Sequence, residues 1–305
     1  RAMVMGLDGP VLVEDAIRPG ASVAQALELL TTDPARTAPD RATFLAVMRE
    51  RQERALRALD GVHFDVPDQI RRIEVREAPP GGPLGAYYVS PSEDFRRPGT
   101  VWYNLDGEGP FPLYDEVSTA YHEGFPGHHL QCGLQVSLTA SLCRLHRVGF
   151  GYSGYAEGWA LYTEQLMDEL GYYETPDYLL GMLANQMMRA CRVVFDIGAH
   201  CAFPIPDDAP LHPGQPWTFE RGVEMMCTLG GMARAHAESE VTRYLGWPGQ
   251  AISYKVGQRV MLELREAYRR QHGETASLKD FHARVLSSGN VSLDALRGLV
   301  LNELS

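Results

Sequence analysis

The chain has 305 residues, 45% of them hydrophobic and 22% charged, with a formal net charge of -11 and a pI near 5.4. That length and apolar content support a folded protein with a sizeable core. The acidic balance, without clustered Lys and Arg, excludes nucleic acid and anionic membrane as partners and leaves small molecules and peptides. Five cysteines, Cys132, Cys143, Cys191, Cys201 and Cys227, are odd in number and form no Cys-x-x-Cys pair. Neither a disulfide scaffold nor a thiolate metal site is indicated, and a reducing, cytoplasmic setting is expected. No apolar run reaches the ~18 residues of a membrane span. The chain begins at Arg1 without a methionine, inside what reads as a helix, so an amino-terminal signal segment stays open.

Residues 1–60 read as a helical lead-in. ASVAQALELL is one helix, and the run from Asp40 places Phe44, Val47, Met48, Arg51, Ala55 and Leu59 near one face of another. Between about 70 and 105 the texture changes to short β-prone pieces, RIEVRE, GAYYVS and TVWYNL, separated by Pro and Gly clusters; a small sheet is predicted there. From Tyr114 helical periodicity runs to the end. Tyr155, Trp159, Tyr162 and Leu166 recur at helical spacing, as do Leu180, Leu183, Met187, Cys191 and Val194. The last two helices have plausible starts at Ser277 and Ser292, and the five prolines of residues 201–217 mark a long surface loop. The expected fold is mainly α, a single domain over 1–305 with a catalytic helical core from residue 114.

The chemistry is concentrated in YHEGFPGHHLQ, Tyr121 to Gln131. In the zinc-peptidase pattern His-Glu-x-x-His, two histidines four apart share a helix face and the intervening glutamate is the base. Here the fourth position after His122 is Pro126. On an undistorted helix His128 lies ~240° around and ~9 Å along from His122, too far for ~2 Å metal–nitrogen bonds to a common ion. Pro126 cannot continue the backbone ladder and Gly127 tolerates unusual conformations, so a bulge at this pair would return His128 to the fourth-position site. His129, on the same face of an ideal helix but ~10.5 Å along, is the rival.

A second signal lies in GYAEGWALYTEQL. Gluzincin-type sites take a glutamate from a separate helix as third ligand and leave the fourth position to water. Glu157 follows His128 by 29 residues, room for an antiparallel return, and sits among Tyr155, Trp159 and Tyr162. A buried carboxylate needs a compensating partner, and a metal is one. Glu164, a further ~10.5 Å along the helix, is expected in a supporting or salt-bridge role.

HEGFPGHHLQ, YAEGWALYTEQL, MRACRVVFDIGAH, SEVTRYLGWPGQAISYKVGQ and DFHARVLSSGNVSLDAL resemble, in order, successive blocks of the largely bacterial family catalogued as domain of unknown function 885. The resemblance covers roughly residues 60 to 305. It implies a helical zinc-peptidase-like bundle related to the angiotensin-converting enzyme and thimet-oligopeptidase type. Family members are usually much longer at the amino end, and the proline-rich 201–217 segment departs from their more compact run. Tyr254, in AISYKVGQ, is the resemblance's candidate for stabilising an oxyanion, with Tyr244 second.

The expected activity is zinc-dependent hydrolysis of an amide bond in a peptide or small amide. Zn2+ would be held by His122, His128 and Glu157, with Glu123 as general base and Tyr254 as oxyanion donor. A small non-peptide amide as substrate, or a non-catalytic metal-binding relative, are the competing expectations. Manganese, cobalt or iron would suit the same donors. Arg189, Arg192, Asp196 and His200 fall on one helical stripe, either a charged face with an Arg192–Asp196 pair or a source of ligand-orienting groups. His282 reads as structural, and TVWYNL with Asn104 as a plain strand.

Overall fold

The computed structural model describes residues 3–6, 9–81 and 85–302. Its start departs from the expected helical lead-in. Met3–Gly6 (β1) and Gly9–Leu12 (β2) pair antiparallel, and helix begins only with Val13–Ile17 (α1). Glycines at 6 and 9 and a proline at 10 each disfavour helix, whereas the valines at 4 and 11 on either side suit paired strands. The two helices predicted next are present as Val23–Thr32 (α2) and Arg41–Leu59 (α3), separated by Thr37–Ala38 (β3). Ser22 closes a capping box with Gln25, and the Asp40 carboxylate accepts from the Thr43 N–H at 2.7 Å, satisfying donors the first turns leave open.

The expected sheet forms from Ile73–Glu77 (β4), Ala86–Val89 (β5) and Gly99–Tyr103 (β6). β6 is central, parallel to β4 and antiparallel to β5. Val101 and Tyr103 alternate inward, and Tyr103 meets Phe44 of α3 edge-on at 5.2 Å. Phe111–Pro112 (β7) returns to pair with β3.

Helices then follow: Glu116–Glu123 (α4), His128–Ser137 (α5), Arg144–Val148 (α6), Ser153–Glu169 (α7), Pro176–His200 (α8), Phe219–Thr228 (α9), Arg234–Gly246 (α10), Ser253–His272 (α11), Leu278–Ser287 (α12) and Leu293–Leu301 (α13). Ser277 and Ser292 cap the last two as predicted, and residues 201–217 contain neither helix nor strand. No helix among the described residues is long and apolar enough to cross a membrane.

Two packing facts place the site. First, α7 supplies the centre of the main core through Tyr155, Trp159, Tyr162 and Leu166, all essentially inaccessible. Second, α11 meets α7 at glycine: a side chain on Gly257 would run into the Gly154 carbonyl and the Gly158 backbone. That close approach sets the first turn of α11, with Tyr254, beside the first turns of α7, with Glu157.

α8 corrects one expectation. Leu180 and Cys191 are buried, but Met187 and Val194 are 55% and 46% exposed, while Arg189, Arg192, Phe195 and Asp196 face inward. The polar stripe is the buried one because neighbouring helices bring partners for it. Phe195 and Tyr244 anchor a second core between α8, α9 and α10.

Candidate active site

α4 ends at Glu123, and α5 restarts at His128. Between them the chain turns through Gly124, Phe125, Pro126 and Gly127, with a cis peptide at Phe125–Pro126. Phe125 is fully buried against Phe64, ring centroids 5.7 Å apart, and the Trp159 indole N–H donates to the Pro126 carbonyl at 3.0 Å. The Gly127 N–H donates back to the Tyr121 carbonyl at 3.0 Å. Gly127 lies so close to the end of α4 that a Cβ there would collide with the carbonyls of Tyr121 and His122.

This detour brings His128 beside His122, their rings 4.9 Å apart and nearly perpendicular. Glu157 reaches both from α7: its Oε2 is 3.3 Å from His122 Nε2 and 3.4 Å from His128 Nε2. That oxygen is buried and has no hydrogen-bond partner. Donor atoms of His122, Glu123 and His128 also lie within 4.8 Å of one another. Tyr254 stacks on His122, centroids 6.1 Å apart at 15°. All five residues expected in the site are thus in one place.

His122 is held from behind. Its Nδ1–H donates to Glu164 Oε1 at 2.7 Å, which leaves Nε2 as the nitrogen that faces Glu157. Glu164 has no exposed surface and is ion-paired to Arg189 at 2.9 Å. An imidazole with a carboxylate on its far nitrogen is the arrangement that orients metal-binding histidines.

Electrostatically the cluster calls for positive charge. Burial works against the charged form of His122, yet Glu157 and Glu164 outweigh it and push the pKa up to about 9. Burial raises Glu157, but the imidazoles of His122 and His128 more than offset it and hold the carboxyl below its usual range. Burial also raises Glu123, against the pull of His128 and His122. A metal ion competes with protons for these same atoms.

The other candidates lie elsewhere. His129 is turned toward the sheet: its Nε2–H donates to the Ile70 carbonyl at 2.6 Å and its Nδ1 accepts from Tyr88 at 3.1 Å. The expected Arg192–Asp196 pair is absent from the bonding of Arg192, which binds Glu240 and the Tyr244 hydroxyl, each at 2.7 Å. Asp196 instead accepts the Gly249 N–H at 3.1 Å, and His200 Nε2–H donates to the Tyr244 carbonyl at 3.1 Å, so these bonds go to residues outside the cluster. Tyr244, second choice for the oxyanion, is committed to Glu240 at 2.6 Å. His282 is in the core, as expected. The reading of the sequence missed Arg189 as the partner of Glu164; the available signal was two opposite charges inside otherwise apolar helical stretches.

A cluster of histidine and carboxylate donors within a mainly helical fold is what the chain presents. By its match over residues 11–300, the chain belongs to the family described as "Bacterial protein of unknown function (DUF885)". It is similar to the solved structure of a "putative lipoprotein from Colwellia psychrerythraea", with 31% identity and a TM-score of 0.81 over 94% of this chain and 47% of that one. A "putative lipoprotein of unknown function from Shewanella oneidensis" shares the fold, with 22% identity and a TM-score of 0.72 over 95% of this chain and 52% of that one. The chain therefore spans about half the length of these structures. No curated protein matches it.

Proposed function

We propose that the protein is a metal-dependent hydrolase of peptide-like amide bonds, with zinc the ion its donors suit best. The observation that carries this reading is Glu157 Oε2, buried without a hydrogen bond at 3.3 and 3.4 Å from two imidazole nitrogens. Zinc bonds of ~2.0–2.1 Å at tetrahedral angles separate adjacent donors by roughly 3.3–3.4 Å. A carboxylate oxygen stripped of water is costly unless compensated, and a shared cation compensates it.

His122, His128 and Glu157 would hold the ion. When bound, it supplies Lewis acidity and brings the pKa of a water to ~7. The rest is done by the chain. Glu123, beside the first histidine and raised in pKa by burial, takes a proton from the attacking water and passes it to the leaving amine as the carbon–nitrogen bond breaks. The Tyr254 hydroxyl donates to the carbonyl oxygen as that oxygen gains charge. Glu164 and Arg189 keep His122 in the required tautomer.

The test is turnover of a peptide library and of a panel of small amides by metal-loaded wild type and Glu123→Gln. The proposal predicts cleavage of peptides by the wild type and a loss of ~10²-fold or more in the variant at unchanged metal content. Full activity in Glu123→Gln would sink it, and turnover of small amides alone would replace the substrate class. The expectation of a reducing compartment rests on the cysteines, whereas the description of the similar structures as lipoproteins favours export. Cell fractionation decides between them.

A further inference from the structure

Tyr254 has a second neighbour besides His122. The guanidinium of Arg192, on α8, lies 4.9 Å from the centroid of its ring, a cation–π distance. Arg192 is not a surface chain that happens to fall there, being only 8% exposed. Its Nε–H donates to the Tyr244 hydroxyl and its Nη2 to Glu240 Oε2, both at 2.7 Å, while the Tyr244 hydroxyl donates to the same Glu240 oxygen at 2.6 Å.

The anchors of Arg192 also hold the segment from which Tyr254 enters. Arg243 grips Glu240 through Nε at 3.0 Å and Nη2 at 2.9 Å, and its Nη1 donates to Gln250. Gln250 lies in the connection between α10 and α11, four residues before Tyr254. On the same connection the Gly249 N–H is held by Asp196 of α8. A planar guanidinium can donate two hydrogen bonds from its edge and still lay its face against a ring, a combination that an apolar chain lacks altogether.

We infer that Arg192 is a positioning residue. Locked by Glu240 and Tyr244, it fixes the Tyr254 ring against His122 so that the hydroxyl is presented to the substrate carbonyl. The catalytic part of this inference rests on the proposed hydrolytic function; the structural part does not. It explains why a buried arginine and tyrosine and a largely covered glutamate are assembled next to the site without touching the candidate metal donors.

The experiment labels the protein with 3-fluorotyrosine and follows the 19F signal of Tyr254, assigned by its loss in Tyr254→Phe. In Arg192→Met that signal should shift and broaden. In Arg259→Met, which removes only an exposed partner of Glu263, it should stay. Should Arg192→Met fail to fold, the isosteric Tyr244→Phe removes one anchor and should move the Tyr254 signal in the same way. An unmoved Tyr254 signal in the folded variant overturns the inference whether or not the protein is a hydrolase. In the activity arm, Arg192→Met should lower kcat toward the ~10²-fold loss of Tyr254→Phe while KM and metal content hold. The double variant should be no worse than Tyr254→Phe alone, and multiplied losses would overturn the inference. Absence of turnover in the wild type would count against the proposed function and leave the 19F arm to decide this one.

Discussion

Glu164 and His122 share a 2.7 Å hydrogen bond, with neither residue more than 3% exposed, and Arg189 grips both oxygens of the same carboxylate, at 2.9 and 3.3 Å. The bond settles which nitrogen of His122 faces the site. Glu164→Gln keeps the shape but removes the charge that both neighbours need. Metal affinity, measured by competition with a chromophoric chelator, should fall ~10- to 100-fold. Glu164→Ala should in addition destabilise the fold by about 3–5 kcal/mol, because it strands the Arg189 charge. Unchanged affinity in Glu164→Gln would mean that the bond has no part in presenting His122.

The turn between α4 and α5 gives a second expectation. A methyl group at position 127 has no space beneath the carbonyls of Tyr121 and His122, so Gly127→Ala must displace His128. The variant should fold, since the core anchors Phe125 and Trp159 are untouched, but should bind metal more weakly by tenfold or more. Isothermal titration with zinc checks this, and a wild-type affinity would show that the close approach is incidental.

His128 and His129 should separate cleanly. His129→Ala strips the Ile70 carbonyl and Tyr88 of their partner, a loss of about 1–3 kcal/mol visible in urea unfolding, yet it should keep its metal. His128→Ala should lose the metal with little change in the stability of the metal-free chain.

The pH dependence of stability has an identifiable contributor in the core. His282 donates from Nδ1 to the His63 carbonyl at 3.1 Å and accepts at Nε2 from Tyr162 at 2.8 Å, so its neutral form is fully satisfied. Burial pulls its pKa down to about 3. Between that value and the ordinary ~6.5, the unfolded chain binds the proton and the folded chain does not. Stability from this residue is therefore complete above ~6.5 and drains away as pH falls toward 3, by up to about 1.4 kcal/mol per unit. Urea unfolding at pH 7, 6 and 5 should show a steeper decline for the wild type than for His282→Phe. Parallel declines would contradict the assignment.

Much of this was legible in the chain because its causes are local. Asp40, Ser277 and Ser292 announce helix starts through a short polar side chain that reaches back to the first turn, and they cap as expected. The break at Pro126-Gly127 was visible because neither residue suits a continuous helix. What stayed hidden depends on distant partners. Nothing near Arg192 in sequence distinguishes Asp196, four residues on, from Glu240, 48 residues on, yet the fold chose the latter. The sequence left the polar stripe of α8 open between a charged face and a source of ligand-orienting groups for the same reason: opposite charges from α7 and α10 arrive only with the tertiary structure. The pairing of residues 3–6 with residues 9–12 shows that two glycines and a proline outweigh helical expectations for the surrounding run.

The most direct measurement is the metal content of the purified chain and three variants, by atomic emission after dialysis against trace zinc. The account predicts one ion per chain in the wild type and in Glu123→Gln, and less than a tenth of that in His128→Ala and Glu157→Ala. A wild type that holds no ion, or full occupancy surviving in His128→Ala and Glu157→Ala, would contradict it.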